Sequence, residues 1–138
     1  MTGAVALLPY ADFLGIRIAG ERDGTPLLLM PRSEGLIGLP DRLHGGAIAG
    51  LLEIAAIAAI DATLEDGEQA RSIFKPITVT VDFMRPGLPA DTYACGTVVR
   101  VGGRIANVSV SAWQDDPGRV IAAARMNLAI RTPDRIED

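Results

Sequence analysis

Cysteine occurs once in this sequence, at Cys95, so no internal disulfide can form and no second thiol stands at zinc-ligand spacing. That usage fits a reducing compartment, and Cys95 itself reads as a small hydrophobe in a strand. Aromatic residues make up only 4% of the chain, too few for platforms on which nucleic-acid bases stack. Thirteen Lys and Arg against seventeen Asp and Glu leave a net charge of −4 and a pI near 4.9. No broad basic footprint for a phosphate backbone follows, so no nucleic-acid partner is expected, although a local arginine cluster could hold a small anion. Lysine is reduced to Lys75, which leaves Schiff-base chemistry a single position. Met1 to Ala11 contains no basic residue and soon reaches Pro9, unlike a secretory leader, and a cytoplasmic location is expected. The most apolar run, Gly45 to Ile60, is shorter than the roughly 20 residues of a bilayer span and carries Glu53 at its middle. It reads as a core helix, with no membrane association expected.

What the chain has in quantity is aliphatic. Hydrophobic residues form 49% of it, and with few aromatics the core must be built from Ala, Val, Ile and Leu. Residues 1–138 are the size of one domain, with no internal repeat or second domain. A short turn of helix is predicted from about Pro9 to Leu14, then alternating Ile16 to Glu21 as a strand, Asp23-Gly24 as a hairpin turn, and Thr25 to Met30 as the returning strand. Pro31 to Leu43 reads as a loop that delivers a helix from about His44 to Leu64. That helix is apolar all round, so other structure should enclose it. Segments at about Ser72 to Arg85, Thr92 to Val101, Arg104 to Gln114 and Val120 to Arg131 are β-rich. Turn signals at Pro86-Gly87, Gly102-Gly103 and Asp116-Pro117-Gly118 separate them in the pattern of an antiparallel meander. One long helix across an antiparallel sheet is an α+β solution. Pro133 to Asp138 forms a polar tail expected to fray.

Glu53 is the only ionisable residue between His44 and Asp61. A carboxylate buried without a partner costs several kcal/mol or takes up a proton, so its presence needs a reason. It is either a tuned general base or nucleophile, or a structural carboxylate that pairs with an arginine or lies on an exposed strip. Gly45 and Gly46 occupy the first helical turn, where N–H groups lack intrahelical acceptors and the dipole is positive. They either bind a developing oxyanion or merely ease a tight entry into the helix. The nine positions from His44 to Glu53 span roughly 13 Å of helix, too far for one chain to bring both ends to one bond. If both act on one carbonyl, a two-fold dimer with antiparallel helices is the simplest arrangement.

The run Leu43-His44-Gly45-Gly46, then Leu51-Leu52-Glu53, then Thr78 to Gly87 ending Phe83-Met84-Arg85-Pro86-Gly87, then Val98 to Arg104 around Gly102-Gly103-Arg104, resembles the PaaI-type branch of the hotdog thioesterase superfamily. The likeness covers about residues 10–131. It implies a hotdog fold, in which a long central helix is wrapped by a curved five- or six-stranded antiparallel sheet. It also implies homodimers that commonly pair into homotetramers, with sites at the dimer interface, and hydrolysis of acyl-CoA thioesters without metal or redox cofactor. Carried over by position, Glu53 would activate water or attack the thioester carbonyl, Gly45 would donate the oxyanion N–H, and His44 would position the loop or the substrate. The CoA moiety of the substrate would lie along Arg85, Arg100, Gly103 and Arg104, where guanidinium forks and turn N–H groups suit phosphates. One departure is Gly38, where many relatives carry Asn six residues before the histidine. Two other readings share this frame: a hotdog dehydratase or hydratase acting on 3-hydroxyacyl or enoyl thioesters with His44 as base, and a non-catalytic acyl-CoA-binding module.

Overall fold

The computed structural model describes residues 7–64 and 73–131; the strand start expected at Ser72 and the tail from Pro133 to Asp138 lie outside the described residues. Asp23-Gly24 closes the first hairpin as its chemistry dictates. Both residues have positive φ, 54° and 85°, the pair of left-handed conformations that a two-residue type I′ turn demands, and Arg22 faces Thr25 across it. The turn joins β1 (Arg17–Arg22) to β2 (Thr25–Met30), after a short helix α1 (Pro9–Leu14) that begins on proline. The long helix α2 (Gly45–Leu64) follows, then β3 (Ile73–Phe83), β4 (Thr92–Val101), β5 (Ile105–Trp113) and β6 (Ala122–Arg131). The six strands form one sheet in the order β1-β2-β4-β5-β6-β3, antiparallel throughout.

This is the α+β hotdog architecture expected, with one connection different. Pro86-Gly87 reads as a hairpin turn, yet β3 pairs with β6 at the far edge of the sheet and not with β4. The reason lies in what Gly87 is for. It is not among the positive-φ glycines; instead, a Cβ there would lie 3.1 Å from Leu43 Cβ and 3.2 Å from Ile48 Cδ1. Its carbonyl accepts the Leu43 N–H at 2.9 Å. The segment after β3 therefore packs against the loop that leads into α2 instead of reversing. Only β4, β5 and β6 form a meander.

The helix rests chiefly on β4, β2 and β5. At Gly96 in β4 a Cβ would stand 3.1 Å from Ala59 Cβ and 3.2 Å from the Ala55 carbonyl oxygen, so the glycine and the two small alanines let helix and sheet backbones approach. Around that contact Leu28, Met30, Leu51, Leu52, Ile60, Val108, Met126 and Leu128 are fully buried, each such side chain stabilising the fold by about 1.5–3 kcal/mol. The helix is not enclosed on every side, as its composition led one to expect. Ala49, Gly50, Glu53, Ile57 and Asp61 stay half-exposed, and their spacing of three to four residues makes them one strip. A single sheet covers one side of a helix, and α1 adds cover near Gly50, where Leu14 and Tyr10 approach. At 20 residues and a hydropathy of 1.9, α2 is long and apolar enough by composition to cross a bilayer, longer than the run first read; over half of that stretch is buried within the fold.

Candidate active site

Two motifs far apart in sequence meet at the start of α2. His44 stands just before the helix and caps it: its Nδ1 accepts the Gly46 N–H at 2.8 Å, while its carbonyl accepts the Ala47 and Ile48 N–H groups. With Nδ1 committed as an acceptor, Nε2 is the ring nitrogen left to donate. Glycine is needed at Gly46 because a Cβ would fall 2.9 Å from that Nδ1. On the other side of His44, a Cβ at Gly38 would lie 3.1 Å from the His44 Cα and Cδ2, so the ring occupies the space into which a longer side chain at Gly38 would grow. The His44 backbone is held too, its N–H donating to the Leu36 carbonyl at 2.8 Å.

With the Gly46 N–H taken by His44, the neighbouring Gly45 N–H makes no hydrogen bond among the described residues. It is an open donor at the positive end of a 20-residue helix. Phe83, the last residue of β3, flanks it, with its ring 3.5 Å from where a Gly45 Cβ would stand. The next residues of that motif hold the helix start: Gly87 accepts from Leu43, and Leu88 is clamped by Gln114. The Gln114 Oε1 accepts the Leu88 N–H at 3.0 Å, and its Nε2 donates to the Leu88 carbonyl at 2.8 Å and to Thr92 Oγ1 at 3.1 Å. Rigid sheet thus reaches the oxyanion candidate through a short chain of hydrogen bonds.

Glu53 lies on the open strip of α2 and makes no ion pair or hydrogen bond among the described residues. Its backbone is eight residues from Gly45, about 12 Å along the helix axis. The structure therefore does not bring Glu53 and Gly45 to one point within a single chain. Asp61, two turns further along the strip, has its carboxyl pushed above the usual range by burial.

The arginines read as CoA contacts are divided. Arg85 follows β3 with its N–H bonded to the Ile121 carbonyl, at the Gly45 end of the sheet. Arg100 and the Gly103-Arg104 turn stand at the opposite end, where the Arg104 carbonyl accepts the Ile130 N–H. From Ile121 to Ile130 along β6 is about 30 Å. Thr78 and Thr80 pair with Asn127 and Arg125, on the sheet face turned away from α2. Among the described residues no three His, Cys, Asp or Glu side chains gather as a metal site. Phe83 was legible only as part of its motif, while the Gln114 clamp and Arg119, which shares a cleft with Arg85, carry no sequence signal because they act through tertiary contacts.

A six-stranded antiparallel sheet on one long helix is the frame of the hotdog fold. A family model described as the acyl-CoA thioesterase N-terminal domain matches residues 38–129, from Gly38 through β6. The chain belongs to this family. Among solved structures, a protein of Chromobacterium violaceum is 30% identical, with 88% of this chain and 82% of that one covered and a TM-score of 0.68. A thioesterase of Haemophilus influenzae is 20% identical over 89% of this chain and 82% of its own, with a TM-score of 0.76. A single-residue variant of the phenylacetic acid degradation protein PaaI of Thermus thermophilus is 20% identical over 88% and 97%, with a TM-score of 0.72. These last two share the fold. Comparison with curated proteins gives no match.

Proposed function

We propose that the chain hydrolyses an acyl-CoA thioester to a carboxylic acid and free CoA, in a site built by two copies. The thioester carbonyl oxygen accepts the Gly45 N–H of one chain, and the partner's Glu53 either takes a proton from an attacking water or attacks the carbonyl itself. The oxyanion that forms is stabilised at the helix start, an effect that contributes about 3–4 kcal/mol in comparable sites. Collapse breaks the C–S bond and expels the CoA thiolate, which takes up the proton that Glu53 removed from the water; where Glu53 itself attacks, the mixed anhydride it forms is hydrolysed by a water that releases the acid and supplies that proton. The observation that carries this reading is the pairing of an open donor and an unpartnered carboxylate on one helix, separated by about 12 Å, a distance that a two-fold axis removes.

The sheet edge supports the dimer. β3 is an eleven-residue edge strand with Ile73, Ile77, Val79 and Phe83 exposed, the long apolar edge that a lone domain avoids. Antiparallel pairing of β3 with its copy would cover that edge and set the open strips of the two helices on facing sides. Pairing of such dimers into tetramers rests on the family resemblance. The hydratase reading is disfavoured at His44, whose Nδ1 lone pair is committed to Gly46. Glu53→Ala tests the proposal: the oligomer persists by sedimentation while release of free CoA, followed with a thiol reagent, falls by two orders of magnitude or more. Near-normal turnover would remove Glu53 from the chemistry.

A further inference from the structure

The edge strand β3 is apolar, yet Pro76, a bulge at Ile77 and a lysine interrupt it, the features with which edge strands turn foreign strands away. Lys75 is the chain's one lysine, and Asp82 is the one acid in β3. Seven residues apart in a regular strand, the two would point to opposite faces. The bulge adds one residue between them. Both therefore stand on the face turned away from α2, Lys75 opposite Ala129 and Asp82 opposite Ala123 of β6. Both are exposed, and neither has an ion pair among the described residues. The face turned toward α2 is apolar: Phe74, Val79, Val81 and Phe83 lie opposite Ile130, Met126, Ala124 and Ala122, all four buried.

A two-fold axis perpendicular to a sheet keeps each face a face, so in a self-paired β3 it passes through one residue and its own copy. Resting on the β3 dimer of the thioesterase reading, we propose that this residue is Val79 and that two reciprocal Lys75–Asp82 ion pairs between a chain and its second copy fix the register. Counting from Val79, Thr80 meets the partner's Thr78 with the bulged residue beside it, two against one as a bulge requires. Val81 then meets the partner's Pro76, Asp82 the partner's Lys75, and Phe83 the partner's Phe74. Apolar side chains fall on apolar ones toward α2, and charge falls on opposite charge on the other face. An axis at Thr80 would instead set Asp82 against the partner's Thr78 and Lys75 against the partner's Met84. An axis at Thr78 would set them against the partner's Ile73 and the partner's Thr80. The Val79 register also brings a partner side chain to the site, because Phe83 flanks the Gly45 N–H and the partner's Phe74 becomes its neighbour. Exposed cross-strand ion pairs contribute modestly, so these select register and partner more than they hold the dimer.

Charge reversal in the full chain tests the register. Lys75→Asp leaves β3 with acids alone and Asp82→Lys leaves it with lysines alone, so either variant by itself sets like charges opposite each other twice. Its dimer dissociation constant, measured by sedimentation, rises roughly tenfold or more. Mixing the two variants restores two opposite-charge pairs, and native mass spectrometry finds mixed dimers well above the half that random exchange gives. Mixed dimers at the random half, or variants that dimerise like the parent, overturn the proposal. Disulfide mapping in a Cys95→Ser background reads the axis without any change of charge. Val79→Cys crosslinks to its copy under mild oxidation, because directly opposite residues stand about 4.5–5.5 Å apart, within disulfide reach. Thr78→Cys and Thr80→Cys do not crosslink; a disulfide at either of them and none at Val79 moves the axis and overturns the assignment. Thiol release by the parent chain is measured separately. Hydrolysis that persists when the Val79 crosslink fails removes the register alone, whereas a crosslink in a chain that hydrolyses no acyl-CoA removes the thioesterase reading.

Discussion

Replacing His44 separates the two things an imidazole could do at this position. If its work is to cap α2, the loss in His44→Ala is one hydrogen bond to a helix N–H, worth about 1 kcal/mol. For a domain of this size that lowers the melting temperature by about 3–5 °C. The effect on turnover is larger than the effect on stability. The first turn is two glycines, each costing about 1 kcal/mol relative to alanine in a helix, so the cap is what holds the turn in place. Without it the Gly45 N–H loses its aim, and a misplaced oxyanion donor forfeits much of the roughly 100-fold or greater contribution such a donor makes. Asparagine is among the best capping residues, and its Oδ1 can accept the same Gly46 N–H. His44→Asn should therefore melt within about 1 °C of the parent and keep most of the thioesterase rate. Thermal melting and a thiol-release assay on the three proteins decide it. A His44→Asn variant that melts normally but is as inactive as His44→Ala would refute the capping argument and show that the ring itself moves a proton.

Two further perturbations act on neighbouring groups. Gly46→Ala gains helix propensity, yet its Cβ falls 2.9 Å from the capping nitrogen and displaces the ring; turnover should fall with no gain in melting temperature, and in a His44→Ala background the same change should become stabilising. Asp61→Asn should raise stability near neutral pH. Burial raises the folded-state pKa of Asp61 above its ordinary value of 3.8, so the stability linked to its protonated form is complete below that value and lost as the pH climbs through the folded value. The advantage of the amide, read from denaturant midpoints, should shrink as the pH approaches 4; an advantage equal at both pH values would show that charge is not the cause.

How much of this was legible in sequence depended on whether the cause was local. The Asp23-Gly24 turn, both ends of β2 and the start of α2 follow from residues within a few positions of one another, and all stand within a residue of where pattern places them. The partner of β3 was misread because Pro86-Gly87 has the composition of a turn, whereas Gly87 is required by the approach of Leu43 and Ile48, some forty residues earlier. A separation of 26 residues likewise hid the clamp of Gln114 on Leu88. At the site, Glu53 stood out because it interrupts an apolar helix, and Gly45 because a glycine in the first helical turn offers an N–H without an intrahelical acceptor. His44 was visible as a motif residue, but its capping role depends on a side-chain rotamer that no spacing encodes. Of the residues read as CoA contacts, Arg85 stands at one end of the folded sheet and Arg100, Gly103 and Arg104 at the other, a separation set by the pairing of β3 with β6.

The helix geometry leads to a test that needs no structure of the dimer. If each site takes its N–H from one chain and its carboxylate from the other, defects in the two groups should complement across chains. Gly45→Pro removes the N–H at the first helical position, where proline is well tolerated and where an added Cβ meets Phe83 only at ordinary contact distance. Glu53→Ala removes the acid. Each variant alone has two broken sites per dimer and should be nearly inactive. In a mixed dimer one site receives both defects and the other receives neither. Random assembly makes half the dimers mixed, each with one intact site of two, so a coexpressed equal mixture should recover about a quarter of the parental turnover. Recovery near that level requires the two groups to act across the interface. If the mixture stays as inactive as its components while the dimer forms normally, Gly45 and Glu53 belong to the same half-site, and the roughly 12 Å of helix between them would have to be bridged by the substrate instead.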